Sequence, residues 1–397
     1  MKKLVLAVLN LTLLGSGCLT QPLPEQAATE IETPLKISTV QRLPEEMLLL
    51  SHLPSALEAK MRYDIPTGTR IAIIPHHLVA MREIVSLLSS WPEPKPKRIF
   101  LISPDHFSQG KTSFTSLKED YRYLDKQVPN DADTVVSLSK QVPAFSLEPR
   151  ILEREHGISG LVPLIDQTMP GTKIIPIAIR IDVKPDELRN LVDALKIQLN
   201  DPQTAIFASI DMSHYLPEEF ADLHDAYTLE TIRTLDSARS TSTETDSSSW
   251  MAAILDLTRH LNLGDVRIHA HTNSLRILKS QVSDEGTSHI LSTFSPGSIQ
   301  NKRHTRSVLF APKDIPSLEN RLYYGQDEIR PPLADYPDIA VSVVIRSDGT
   351  RSIGITPLIL DGNRWKIMPR EQRLRLIETW KQDGTWSAIV KKLDSQL

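Results

Sequence analysis

The feature that most constrains this chain is a set of short apolar runs that are continuous rather than alternating, at residues 71–75, 99–102, 173–179 and 205–210. A strand with one wet face alternates apolar and polar side chains, so unbroken runs of this length are what strands buried on both faces require. Between them lie helix-length patterns at 79–88, 132–141, 155–167, 185–199 and 218–235. Strand alternating with helix predicts βαβ units, hence an α/β fold with a mostly parallel central sheet flanked by helices.

Ligands of such sheets gather just beyond the carboxyl ends of the strands, and there this chain places histidines. His76 and His77 close the first run, His106 closes the second within Ser103-Pro-Asp-His106, and His214 follows the last within Asp211-Met-Ser-His214. His156 begins a helix directly after Glu155. Imidazoles converging on one crevice are the means of assembling a metal site, and a nearby carboxylate such as Asp211 fixes a ring's tautomer and raises its basicity. His269 and His271 form a further His-x-His. His52, His224, His260, His289 and His304 stand in polar or helical settings and read as solvated surface.

The flanks set the context. Met1-Lys2-Lys3, the apolar stretch 4–14 and Gly15-Ser-Gly17 form an export signal too short to span a bilayer, ending at Cys18, the only cysteine. This resembles a bacterial lipoprotein signal, which implies lipid on Cys18, a membrane tether and a place in the cell envelope outside the cytoplasm. An ordinary cleaved secretory signal is the alternative. Each buried methylene of an acyl chain would contribute about 0.8 kcal/mol to the tether. With its one thiol consumed, any site must use nitrogen and oxygen ligands. The divisions read as 1–18 signal, 19–66 tether and helical lead-in, 67–312 α/β domain, and 313–397 a small C-terminal α+β extension. Within the extension, 339–345 and 352–356 around Asp348-Gly349 signal a hairpin, and 370–381 and 386–393 signal two helices. The Ser/Thr/Asp/Glu run at 237–249 reads as a surface loop. A net charge of −4 without a dense basic face argues against a nucleic-acid partner.

Five phrases carry a resemblance: Ile-Ile-Pro-His-His at 73–77, Arg-Ile-Phe-Leu-Ile-Ser-Pro-Asp-His at 98–106, Glu-His-Gly-Ile-Ser-Gly-Leu-Val-Pro-Leu at 155–164, Ile-Ile-Pro-Ile-Ala-Ile at 174–179 and Ser-Ile-Asp-Met-Ser-His-Tyr at 209–215. Their order and spacing resemble the Memo family (AmmeMemoRadiSam system protein B). Its corresponding motifs are Pro-His-Ala-Gly-Tyr, Gly-Pro-Ser-His, Glu-His-Ser-x-Glu-x-x-x-Pro and Ser-Ser-Asp-x-x-His. The resemblance implies a fold like class III extradiol dioxygenases, a crevice at the sheet's carboxyl edge, and iron or copper held by two histidines and a cysteine. The two histidines fall on His76 and His106, while His156, Asp211 and His214 line the same pocket and are the candidate catalytic groups. Where the family carries Cys-Gly-x-x-Pro-Ile, this chain reads His271-Thr-Asn-Ser-Leu-Arg-Ile277, which puts Thr272 on the cysteine. His271, one residue away, is the candidate third ligand. Loss of the thiolate moves metal preference toward imidazole-and-oxygen sites, which adds zinc to iron and copper. The implied protein binds a metal ion or a small-molecule ligand. A non-haem oxidoreductase and a metal-free interaction protein are the alternatives.

Overall fold

The structure, a computed structural model, describes residues 51–397 apart from 125, 280–284, 300–305, 313–325 and 346–349. The signal 1–18 with Cys18, the tether up to residue 50 and His304 lie outside the described residues. Of the lead-in, the helix Leu53–Glu58 is seen, with Leu53 buried in the core.

In chain order the strands of the first part are β1 (Ile71–Ile74), β2 (Arg98–Pro104), β3 (Phe114–Ser116), the hairpin β4 (Tyr121–Tyr123) and β5 (Lys126–Val128), β6 (Phe145–Leu147), β7 (Lys173–Ile179), β8 (Thr204–Ser209), β9 (His214–Leu216), β10 (Asp265–Asn273) and β11 (Gly286–Ser295). All but the hairpin join one nine-stranded sheet in the order β10-β11-β1-β8-β2-β7-β3-β6, with β9 against β11. The centre, β1-β8-β2-β7, is parallel. β11 is antiparallel to β1 and β10, and β3 is antiparallel to β7. The expected parallel arrangement therefore holds in the middle of a mixed sheet and again in the edge pair of β3 and β6. Antiparallel neighbours accept short links, such as the helix Ser274–Leu278 between β10 and β11, whereas parallel neighbours need a crossover.

The continuous apolar runs are explained by where successive side chains go. Ile71, Ile73, Phe100, Ile102, Ile175, Ile177, Ile206 and Ala208 point into one core, with Leu188, Leu191 and Leu195 of the helix Pro185–Gln198 and Trp250, Ile254 and Leu257 of the helix Ser248–His260. The intervening Ala72, Ile74, Ile99, Leu101, Ile174, Ala205 and Phe207 point into a second core, with Ile84, Val85 and Leu88 of the helix Met81–Ser90 and Val162 and Ile165 of the helix Val162–Thr168. Alternation still operates, but both faces are dry, so it leaves no polar trace in the sequence.

A second sheet follows, ordered β13-β12-β14-β15-β16, from β12 (Arg306–Phe310), β13 (Glu328–Arg330), β14 (Ile339–Ile345), β15 (Arg351–Asp361) and β16 (Arg364–Ile367). β14 and β15 form the anticipated antiparallel pair. β12, read from sequence as the end of the α/β body, pairs with β14 and so belongs to the second sheet. One face of that sheet packs Val308, Phe310, Val341 and Ile355 on Ile389 and Leu393 of the helix Thr385–Asp394. The other packs Leu309, Ala340 and Leu358 on Phe220 and Ala221 of the helix Glu218–Arg233. No helix among the described residues is long and apolar enough to cross a membrane.

Candidate metal centre

The carboxyl ends of the four parallel strands open onto one cavity of about 750 Å³. β1 delivers His76 and His77, β2 delivers Asp105 and His106, β8 leads to Asp211 and His214, and β7 leads to Arg180. Because β8 lies between β1 and β2, Asp211 enters between the two histidines contributed by those strands.

The hydrogen bonds of His76 fix its tautomer. The Ser209 hydroxyl donates to the Gly157 carbonyl at 2.6 Å, so its one proton is committed there. His76 Nδ1, 2.9 Å from the same hydroxyl oxygen, must therefore be the donor. A neutral imidazole then has its bare lone pair on Nε2, which faces Asp211 Oδ2 at 3.3 Å and Asp246 Oδ2 at 3.2 Å. Burial, reinforced by the neighbouring His106, holds His76 well below the usual histidine range, so the ring is neutral at pH 7.

His106 is aimed by Glu155, which is fully buried. One oxygen of Glu155 accepts from the His106 backbone N–H at 2.9 Å, and the other accepts from His106 Nδ1 at 2.6 Å and from Gly157 N at 2.9 Å. That leaves His106 Nε2 facing Asp246 Oδ2 at 3.5 Å. Burial works to lower the pKa of His106, yet the bonds to Asp246 and Glu155 win and push it up to about 10. In the metal-free state His106 thus carries a proton where a cation would sit. Gly157 is itself demanded by the packing, since a Cβ there would stand 1.9 Å from Ser103 Oγ. The Memo motifs have glycine at the position of Ser103 and serine at that of Gly157, so the two sites have exchanged bulk.

His156 stacks on His106 with ring centroids 4.1 Å apart and lies 5.3 Å from His76. Burial and then the His106 charge hold His156 below its ordinary pKa. Ligating atoms of His76, His106 and His156 lie within 4.8 Å of one another, as do those of His76, Asp211 and Asp246. Two metal–nitrogen bonds span at most about 4 Å, so a small inward movement would let one ion reach across either set. Burial, and after it the Asp246 carboxylate, raises Asp211 well above the usual range. The protein therefore has His/Asp clusters with the donor chemistry to hold a metal ion.

The 237–249 run corrects an expectation. Ala238, Thr241 and Ser242 are exposed as a surface loop would be, but the run forms the short helix Ser237–Ser240 and then turns over the cavity, burying Thr243 and Glu244 and leaving the Asp246 side chain 9% exposed. The two acids turn inward because they meet histidines: Glu244 Oε2 is 2.6 Å from His224 Nδ1, and Asp246 meets His76 and His106. Sequence reasoning missed Asp246. The only signal available was a pair of acids, Glu244 and Asp246, two residues apart in the otherwise uncharged stretch 240–249.

His271, expected as the third ligand, is placed elsewhere. Its Nε2 is 2.8 Å from Asp225 Oδ2, and with Asp222 these residues form a separate group. Neither His271 nor Thr272 is among the described residues lining the cavity, because they lie in β10, two strands away from β1. His224 and His289, read as solvated surface, are buried. His224 pairs with Glu244, and His289 Nε2 lies 3.1 Å from His77 Nδ1. His214 lines the cavity, and its backbone N–H donates to Glu244 at 3.3 Å.

A family model described as Memo-like protein matches residues 52–288. The chain is similar to a MEMO1 family protein of Caldivirga maquilingensis, 29% identical over 144 residues, which covers 36% of this chain and 51% of that one. It is also similar to a MEMO1 family protein of Saccharolobus solfataricus, 27% identical over 148 residues (36% and 52%), and to one of Nitrosopumilus maritimus, 22% identical over 142 residues (36% and 51%). The chain spans about half the length of the curated relatives it matches. Among solved structures, that of an uncharacterized Escherichia coli K12 protein aligns at 11% identity with a TM-score of 0.33, covering 56% of this chain and 99% of that one.

Proposed function

The chain belongs to the Memo-like protein family, and on that premise we propose that it is an exported, lipid-anchored protein that binds a transition-metal ion at the carboxyl edge of its sheet. The observation that carries this reading is His76: with its proton committed at Nδ1, it turns a bare Nε2 toward Asp211 Oδ2 at 3.3 Å and Asp246 Oδ2 at 3.2 Å. His76 and His106 would hold the ion with carboxylate support, a donor set that suits zinc or iron(II) better than the copper that soft sulfur ligands favour. Bound there, the ion would supply Lewis acidity to a ligand oxygen. Glu155 and Ser209 keep the two rings in place, and the cavity leaves room beside the ion for a small organic ligand. Lipid on Cys18 would tether the protein in the cell envelope, outside the cytoplasm.

The test is elemental analysis of the full chain, purified in detergent without chelator, beside its His76→Ala/His106→Ala variant. About one ion per chain is expected in the first and next to none in the second. Equal, near-zero metal in both would sink the proposal. Mass spectrometry of the mature amino terminus tests the tether, which should carry acyl chains that Cys18→Ser abolishes.

The open space next to His156 supports a second reading, a non-haem metal-dependent oxidoreductase resembling extradiol dioxygenases, with neutral His156 accepting a proton from the substrate. Substrate-dependent oxygen uptake that His106→Ala abolishes would favour it over binding alone.

A further inference from the structure

We propose that Asp246 is the third protein ligand of the ion, so that a carboxylate on the 241–249 segment does the work the family gives to a cysteine on another part of the chain. The inference rests on the metal-binding reading above and says which residue completes it. Three observations carry it.

Asp246 Oδ2 is the point where the two imidazoles meet, 3.2 Å from His76 Nε2 and 3.5 Å from His106 Nε2. Its other oxygen, Oδ1, is buried with no hydrogen-bond partner. Burying a carboxylate with one oxygen unsatisfied is unfavourable unless a cation compensates.

The residue is also held in register from both sides. The Asp246 backbone N–H donates to the Asp211 carbonyl at 3.2 Å, and the Asp211 N–H donates back to Asp246 Oδ2 at 3.1 Å. Two residues earlier, Glu244 is locked on buried His224 at 2.6 Å. An acid fixed this firmly is a preorganised group.

Finally, the residue adjacent to the aligned cysteine position has other business. His271 is engaged by Asp225, and Asp225 in turn accepts from Ser213 at 2.9 Å. The ligand set His76, His106, Asp246, with Asp211 beside it, contains only nitrogen and oxygen donors.

Cobalt(II) tests this, because a thiolate on cobalt gives a charge-transfer absorption in the near ultraviolet that carboxylate does not. The full chain is used with Cys18→Ser, which removes the only native thiol. That background should bind cobalt(II) without the band. Adding Asp246→Cys should create the band, and adding His76→Ala to that variant should remove it. The near-isosteric Asp246→Asn, checked for folding by circular dichroism, should bind cobalt(II) at least about tenfold more weakly. If the background binds cobalt(II) but Asp246→Cys gives no band and Asp246→Asn binds as tightly, Asp246 is not a ligand and the inference falls while the metal site stands. If the background binds no cobalt(II), the metal-binding reading falls and this inference with it.

Discussion

Among the described residues, three or more histidine and aspartate side chains come within ligating distance in two places, the cavity and the group of Asp222, Asp225 and His271, and the two are built in opposite ways. At the cavity, His76 and Asp211 have side chains only 2% and 4% exposed, the outer nitrogen of each ring is fixed by a buried partner, and both inner nitrogens turn toward Asp246. At the second group, Asp222 is 42% exposed and already holds Arg276 through two bonds of 3.1 and 2.9 Å, while His271 and Ser213 take up Asp225. A guanidinium occupies the place a metal would need. Spacing alone rates the two groups alike. What separates them is burial and the nearby guanidinium: the cavity set is enclosed and its rings are aimed at one another, whereas the second group is half exposed and already pairs with Arg276.

The largest effect should come from loosening the buried fixings of the cavity. Glu155→Gln keeps the shape but removes the charge and one acceptor that orient His106, and metal affinity should fall roughly 10–100-fold, the usual consequence of losing such a partner. A competition titration against a chromophoric chelator measures it, and an unchanged affinity would show that the two groups do not differ in their support.

Next, Gly157→Ala drives a methyl group into Ser103 Oγ and should destabilise the fold by about 1–3 kcal/mol. Adding Ser103→Gly should recover most of that loss, giving a coupling of roughly 0.5–3 kcal/mol in a denaturation double-mutant cycle. Additive losses would mean that the exchange of bulk between these two positions is incidental.

The third effect is in pH. Burial, and after it His214, lowers His77 to about 4, whereas an unfolded histidine titrates near 6.5, roughly the model-peptide value. As the pH falls from about 6.5 toward 4, the unfolded chain gains a proton that the native His77 refuses, so stability is lost. His106 behaves inversely. Raised to about 10, its contribution is fully present below about pH 6.5 and is lost as the pH rises through about 10. His271 shares the second sign: burial opposes its protonation, but Asp225 prevails and raises it. Comparing metal-free wild type with His77→Asn should therefore show the wild type losing more stability between pH 6.5 and 4. His271→Asn should leave that acid limb unaltered. Parallel acid limbs for wild type and His77→Asn would contradict the buried neutral assignment.

The smallest effect is expected where the second group is exposed. Arg276→Ala removes pairs with Asp222 and Glu218 that are worth about 0.2–1 kcal/mol at most in water. The same variant should acquire a weak second equivalent of bound zinc, because it empties the place the guanidinium held. Absence of that second equivalent would mean that Arg276 is not what distinguishes the groups.

The central strands were legible because two dry faces require unbroken apolar runs, and the histidines at their ends were legible because a parallel sheet sends every strand end to the same edge. His76, His106 and His214 were named on that ground, His156 and Asp211 on the family resemblance, and all five line the cavity. The antiparallel flanks were not legible, since a short run such as 114–116 carries no sign of its neighbour's direction. Nor was the location of β12 in the second sheet.

The sequence by itself determined the α/β core, the family and the strand-end histidines, because those depend on local pattern: which residues are apolar, and in what order. Only the tertiary structure decided what stands beside the histidines. A run of serine, threonine and acids looks like surface to any rule based on composition, yet part of it turns into the cavity because Glu244 and Asp246 find imidazoles about 20 to 170 residues away in the chain. His271, one residue from the aligned cysteine position, is carried away from the cavity by its place in β10 and pairs there with Asp225. Charge pairing over long sequence separations leaves no periodic trace, so it becomes visible only when the chain is folded.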